Sequence, residues 1–153
     1  MRLSRKRLSN ALAVFGLVLV LSLSYGPRLL SGKTLLVKVT DVRNTNGTIH
    51  VLIYDRATAF ENASQTGITS YITRGAEVGD MTFRFRHLLP GRYAVFVHHD
   101  ENANNSFDST ASSFEGYGYS RNVGQLTTPS FEAAAISMPE DPSPAPIAMV
   151  YPE

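Results

Sequence analysis

The chain is predicted to be an all-β protein, an antiparallel two-sheet β-sandwich of about seven strands. Three observations carry that expectation. From Thr34 onward apolar and polar residues alternate with a period of two, the pattern of half-buried strands. Turn signals recur between those runs, first Asn46-Gly47 and then Leu89-Pro90-Gly91. No amphipathic run of three helical turns and no internal repeat interrupts the pattern after the leader.

The elements follow in order. Met1 to Asn10 carries Arg2, Arg5, Lys6 and Arg7 without an acid, and Ala11 to Leu23 is apolar apart from Gly16 and Ser22. These are the charged and apolar regions of an export signal. Thirteen helical residues rise only about 20 Å, short of the ~30 Å hydrocarbon core. Ser22 and Ser24 place small side chains where a signal peptidase reads, so residues 1–24 are expected to be removed. The alternative is an uncleaved anchor that tethers the domain outside the membrane. A short linker, 25–33, then leads to a single sandwich domain, 34–153.

Leu35, Val37 and Val39 form the apolar row of a first strand, and Ile49, Val51 and Ile53 that of a second. Asn46-Gly47 between them readily takes positive φ and predicts a tight hairpin. Arg56 to Asp80 is mostly small and polar, with one strand candidate at Ile68–Thr73. Met81, Phe83 and Phe85 mark a further strand, and Pro90-Gly91 predicts a type II turn into a strand from Arg92 to His99. One helical turn is expected to start in Thr128-Pro129-Ser130-Phe131. Late strands are expected at Ala133–Met138 and Ile147–Tyr151. The prolines at 139, 142, 144 and 146 place the last strand at a sheet edge.

Composition narrows the function. With 153 residues, 43% of them apolar and 18% charged, the chain is long enough to bury a core. It has no cysteine, which excludes disulfides, thiolate metal sites and a cysteine nucleophile. Residues 25–153 hold ten basic against thirteen acidic side chains, a net of −3, and no basic stripe. Nucleic acid is therefore not expected as a partner. Membrane contact is expected only through the N-terminal segment, if that segment is uncleaved.

The stretch His98–Asp108, HHDENANNSFD, carries most of the chemistry. Asp100, Asn102, Asn104, Ser106 and Asp108 occupy positions one, three, five, seven and nine of an EF-hand-style calcium loop. In that frame the Asp and Asn residues offer side-chain oxygens and Ser106 its carbonyl. Position six holds Asn105 instead of glycine, and position twelve holds Ala111 instead of a bidentate Glu. Glu115 is the nearest acid that could substitute. The other reading is a polar loop whose Asp and Asn side chains bond their own backbone. Calcium is the single cofactor the sequence suggests.

Other candidates are weaker. His98 and His99 are adjacent, so a regular strand points them to opposite faces, one packed and one on a wet face. A histidine metal site would need partners from neighbouring strands, with His50 and His87 in reserve. Tyr117 and Tyr119, flanked by Gly116 and Gly118, either stack against a sugar ring or close an end of the sandwich. There is no nucleophile elbow, zinc-protease motif or phosphate-cradling loop, and no catalytic residue is singled out. Asn46-Gly47-Thr48, Asn62-Ala63-Ser64 and Asn104-Asn105-Ser106 match the glycosylation sequon.

Taken together, LPGRYAVFVHHDENANNSFD, EGYGYS and PSFEAA, in that order after a leader and an Asn-Gly turn, resemble the bacterial secreted family catalogued as domain of unknown function 2141. The resemblance covers about Leu35 to Tyr151. It implies an exported sandwich similar to transthyretin-like, carboxypeptidase-regulatory-like or Ig-like modules, and it implies no activity. The marked positions it carries over run from His99, through Glu101, to Asp108, and from Glu115 to Ser120. Ala103 and Asn105 stand where the family tends to have glycine.

The leading expectation is a non-enzymatic exported module, periplasmic or extracellular, whose calcium loop stiffens an end that meets a protein or glycan. Its main rival is a structural envelope or interaction module with a metal-free polar loop. The third class is a metal- or histidine-dependent hydrolase using His98 or His99 with Glu115.

Overall fold

The computed structural model describes residues 32–110, 113–124, 127–138 and 145–152; the expected leader and the linker up to residue 31 lie outside them. Ten strands form among the described residues, against the seven expected. β1 (Lys33–Val42) buries Leu35, Val37 and Val39, as the alternation predicts. A bulge at Asp41, whose φ is 63°, then shifts the row so that Val42 is the next residue inward. β1 pairs antiparallel with β4 (Gly79–Leu88). That strand buries Met81, Phe83 and Phe85 and leaves Thr82, Arg84 and Arg86 exposed. β10 (Ala145–Ala148) lies along the other side of β1 and completes a sheet of order β10-β1-β4.

The second sheet has the order β3-β2-β5-β8. It is built from β2 (Thr48–Tyr54), β3 (Ser70–Gly75), β5 (Gly91–Asp100) and β8 (Gly116–Tyr119). β9 (Ile136–Met138) pairs with the first residues of β5. β6 (Ser109–Thr110) and β7 (Ser113–Phe114) make a two-residue ladder of their own. The chain is thus mostly β with two principal sheets.

Three expectations are corrected. Asn46-Gly47 does not close a hairpin and Pro90-Gly91 does not form the expected type II turn, and each joins strands of different sheets, since β1 and β4 belong to one sheet and β2 and β5 to the other. Both segments carry the chain across the sandwich. Each joins two strands whose apolar rows meet face to face through the core, and that burial outweighs side-by-side pairing. Gly47 does take positive φ, at 60°, but near the second crossing the left-handed residue is His87, at 62°, and not Gly91. Secondly, β10 runs parallel to β1. It reaches the edge by a crossover from β9, which pairs with the other sheet, so no hairpin dictates its direction. Its edge position is as expected, and an edge tolerates Pro146 within the strand. Thirdly, the expected strand at Ala133–Met138 is shared between a helical turn and β9, and the expected Ile147–Tyr151 strand ends at Ala148, with Val150 making a single bridge to Tyr117.

The sandwich core holds Leu35, Val37 and Phe83 from one sheet against Ile49, Val51, Val95 and Val97 from the other. A second apolar cluster lies on the opposite face of the β2-β5-β8 sheet. There α1 (Ala57–Glu61) contributes Phe60 and α2 (Phe131–Ala134) contributes Phe131. Ser130 caps α2, its Oγ accepting the Ala133 N–H at 3.3 Å, in the helical turn anticipated there. The 56–80 segment, expected to hold one strand, also supplies α1 and a 3₁₀ turn at Gln65–Gly67. β2, β5 and β8 are therefore covered on both faces, whereas β3 is mostly exposed and the outer side of β4 is wet.

Candidate functional site

β5 ends at Asp100, which pairs with Thr48 and is completely buried. Its Oδ1 accepts the Asn104 N–H at 3.0 Å and its Oδ2 the Asn105 N–H at 2.8 Å. Asn102 Oδ1 accepts the Asn104 N–H at 2.9 Å, and Asn104 Oδ1 accepts the Ser106 N–H at 2.7 Å. Both Asn side chains then donate to one atom, Asp108 Oδ2, at 2.6 and 3.0 Å. Glu115, also buried, ties the two ends of the loop together: its Oε1 accepts the Glu101 N–H and its Oε2 the Asp108 N–H. Burial raises the Glu115 pKa against the pull of those two bonds. Glu101 is held from the other side by Arg43 Nε at 2.9 Å and Asn44 Nδ2 at 2.6 Å. These bonds and the Arg43 charge keep its pKa low despite burial.

The loop expected from the sequence is thus folded through bonds from side-chain oxygens to backbone amides. It turns at Ala103 and Asn105, both left-handed with φ of 59° and 60°. These are the two positions where glycine was anticipated. An alanine Cβ is strained in that region, so Ala103→Gly is expected to stabilise the fold by up to about 1 kcal/mol. Chemical denaturation would read this as a higher midpoint with an unchanged slope. A lower midpoint would show that the strain is relieved in some other way.

His98 and His99 do point to opposite faces, but neither face is wet: they are 7% and 0% exposed. His99 is a structural pin. Its Nε2 meets the Asn46 carbonyl at 2.7 Å, so that nitrogen carries the proton, and Nδ1 accepts from the Tyr151 hydroxyl at 3.0 Å. Gly116 and Gly118 face the sandwich interior. A Cβ on Gly116 would collide with the Tyr151 ring, and one on Gly118 would come within 2.8 Å of Ala148 O and Ile147 Cγ2. Tyr117 and Tyr119 stand on the opposite, outer face, 6% and 9% exposed. They pack edge-on with each other and with Phe107 and Phe60 respectively.

That outer face brings His50, held in reserve in the sequence reading, together with His98 and Asp100, a grouping the sequence did not give. His50 on β2 is the direct cross-strand neighbour of His98 on β5. Their rings stack with centroids 4.6 Å apart and planes 19° from parallel. Asp100, two residues beyond His98, shares the face, and its Oδ2 lies 3.5 Å from His50 Nε2. His50 Nε2 also meets the Thr48 hydroxyl at 2.8 Å, and Nδ1 the Thr73 hydroxyl at 2.9 Å. His98 Nε2 is buried with no hydrogen-bond partner among the described residues. Burial, and then the adjacent His50, push the His98 pKa down to about 4, so its imidazole is neutral at pH 7.

His98 also lines a cavity of about 210 Å³ beside the acidic loop. Phe60, Phe96, Phe107 and Tyr119 supply aromatic walls, while Gln65, Asn105, Ser106 and Thr128 supply amides and hydroxyls. The signal was present in the sequence. Leu52, Tyr54, Phe96, Tyr117 and Tyr119 occupy the alternate positions that a water-facing row would give to polar residues. Chemically, the site combines apolar ring faces, hydrogen-bonding groups and a buried imidazole whose Nε2 has no hydrogen-bond partner among the described residues.

The model of a family described as "Uncharacterized protein conserved in bacteria" (DUF2141) matches residues 37–145. No curated protein and no solved structure matches the chain.

Proposed function

Because the chain belongs to this bacterial family, DUF2141, whose description carries no activity, we propose a function from the site itself: a non-enzymatic, exported binding module that takes a sugar ring in its aromatic pocket. The carrying observation is the pairing of aromatic walls with a set of amides and hydroxyls in one cavity. A pyranose presents an apolar ring face and a rim of hydroxyls, which is the complementary pattern. At about 210 Å³ the cavity is below the ~300–1,000 Å³ usual for drug-sized ligands, which suits one small ring at the end of a glycan. The charged leader and its short apolar run support export to the periplasm or medium, with or without cleavage. Two facing sheets are compatible with the transthyretin-like or Ig-like class.

In this reading the Asp100–Asp108 loop is a self-bonded wall that places Asn105, Ser106 and Phe107 at the pocket. Saturation-transfer NMR with a panel of monosaccharides and short oligosaccharides tests it. At least one sugar should give transfer that Phe107→Ala abolishes while the circular dichroism spectrum stays unchanged. A panel without any transfer would sink the sugar reading.

Calcium is the second reading, favoured by the gathering of Asn102, Asn104 and Asp108 side chains at one point. Binding would require the two amides to turn their oxygens inward, in competition with the backbone bonds they now accept. Thermal unfolding with millimolar calcium or chelator separates the readings. A site filled a hundredfold above its Kd adds about 2.7 kcal/mol. An unchanged midpoint is expected if the loop is only a wall.

A further inference from the structure

We propose that His50, His98 and Asp100 form a site for a divalent transition metal of the zinc class beside the aromatic pocket. Each residue brings one donor atom to within 4.8 Å of the other two. The arrangement follows from register. His50 and His98 are directly opposed on β2 and β5, and Asp100 lies one alternation beyond His98, so all three share one face. Two are rigidly held: Asp100 is fully buried, and His98 is 7% exposed with its Nε2 unpartnered among the described residues.

A buried imidazole nitrogen with no partner is uncommon because its desolvation goes uncompensated. A metal accepting its lone pair supplies that compensation. His50 has the support that metal-bound imidazoles usually have, since the Thr73 hydroxyl can accept Nδ1–H, and the Nε2 lone pair, which now meets the Thr48 hydroxyl at 2.8 Å, would pass from that hydroxyl to the metal. Two imidazoles with one carboxylate suit zinc, cobalt, nickel or copper and do not suit calcium, which takes oxygen ligands. Metal–nitrogen bonds of about 2.0–2.1 Å put neighbouring donors roughly 3.4 Å apart, so donors now within 4.8 Å of one another must draw in by up to about 1.4 Å. His98 also lines the cavity, so the site adjoins the pocket through that residue. The proposal does not rest on the sugar reading, and its test uses the metal alone.

The experiment is a cobalt(II) titration of the full-length, chelator-treated chain, followed by visible absorption, with zinc as competitor. The expected result is one ion per chain, with the intense absorption of a low-coordinate site, displaced by zinc and not by excess calcium. Affinity should fall at least tenfold in both His98→Gln and His50→Ala and stay within threefold of the parent in Asn102→Ala. His50 lies nearer the surface, so its variant keeps the test valid should His98→Gln prove poorly folded. Absence of cobalt or zinc binding in the folded parent chain would overturn the proposal. So would binding that persists unweakened in His50→Ala.

Discussion

Asp100→Ala should lower stability by about 3 kcal/mol or more, the largest loss expected from any single change in the loop. The carboxylate is wholly buried and accepts two backbone N–H groups, from Asn104 and Asn105. Bonds to a charged acceptor contribute roughly 1.5–3 kcal/mol each, and their loss leaves the Asn105 amide without its acceptor and the Asn104 amide with Asn102 Oδ1 alone. For a domain of this size the melting midpoint should drop by roughly 10 °C. Asp100→Asn keeps one acceptor oxygen and should lose about half as much. Hydrogen exchange would locate the damage at the Asn104 and Asn105 amides. An Asp100→Ala chain as stable as the parent, with those amides still protected, would mean that the loop is ordered by something other than this carboxylate.

The second large effect is a loss of stability in mild acid that depends on His98. Burial and the neighbouring His50 hold its folded pKa at about 4, against 6.5 in the unfolded chain, and the opposing pull of Asp100 and Asp108 does not restore it. Between those values the unfolded state takes up a proton that the folded state refuses. Stability therefore decreases as pH falls from about 6.5 to about 4, and this contribution is complete above that window. At ~1.36 kcal/mol per pKa unit the full loss is about 3 kcal/mol. Urea denaturation at pH 7.5, 6, 5 and 4 in the parent and in His98→Gln isolates the contribution as a difference in slope. His98→Gln removes the titrating group and should flatten the profile across that window. Parallel profiles would show that His98 titrates normally.

Much of the strand content was legible from one end of the chain to the other. Leu35-Val37-Val39, Ile49-Val51-Ile53 and Met81-Phe83-Phe85 point inward as their alternation predicts, because inward and outward are properties of a single pleated strand. Partner choice was not legible. Asn46-Gly47 permits a sharp change of direction but does not say whether the next strand lies beside the last or across the core from it. β10 was recognisable as a strand and as an edge, yet its parallel direction follows from a crossover that no local pattern encodes.

The same division runs through the site. Asp100, Asn102, Asn104, Ser106, Asp108 and Glu115 were found in the sequence because a loop gathers residues that are close along the chain. Their spacing alone left calcium cage and polar wall equally open, since both use the same oxygens. His50 and His98 are 48 positions apart, and only the β2–β5 register makes them neighbours. The pocket likewise needs α1, β5, β8 and the acidic loop in one place. Alternation and loop chemistry are short-range and were written in the residues. The facing of two sheets, the second buried face and the meeting of two histidines with an aspartate came from long-range packing, where burying apolar area overrides local turn preference.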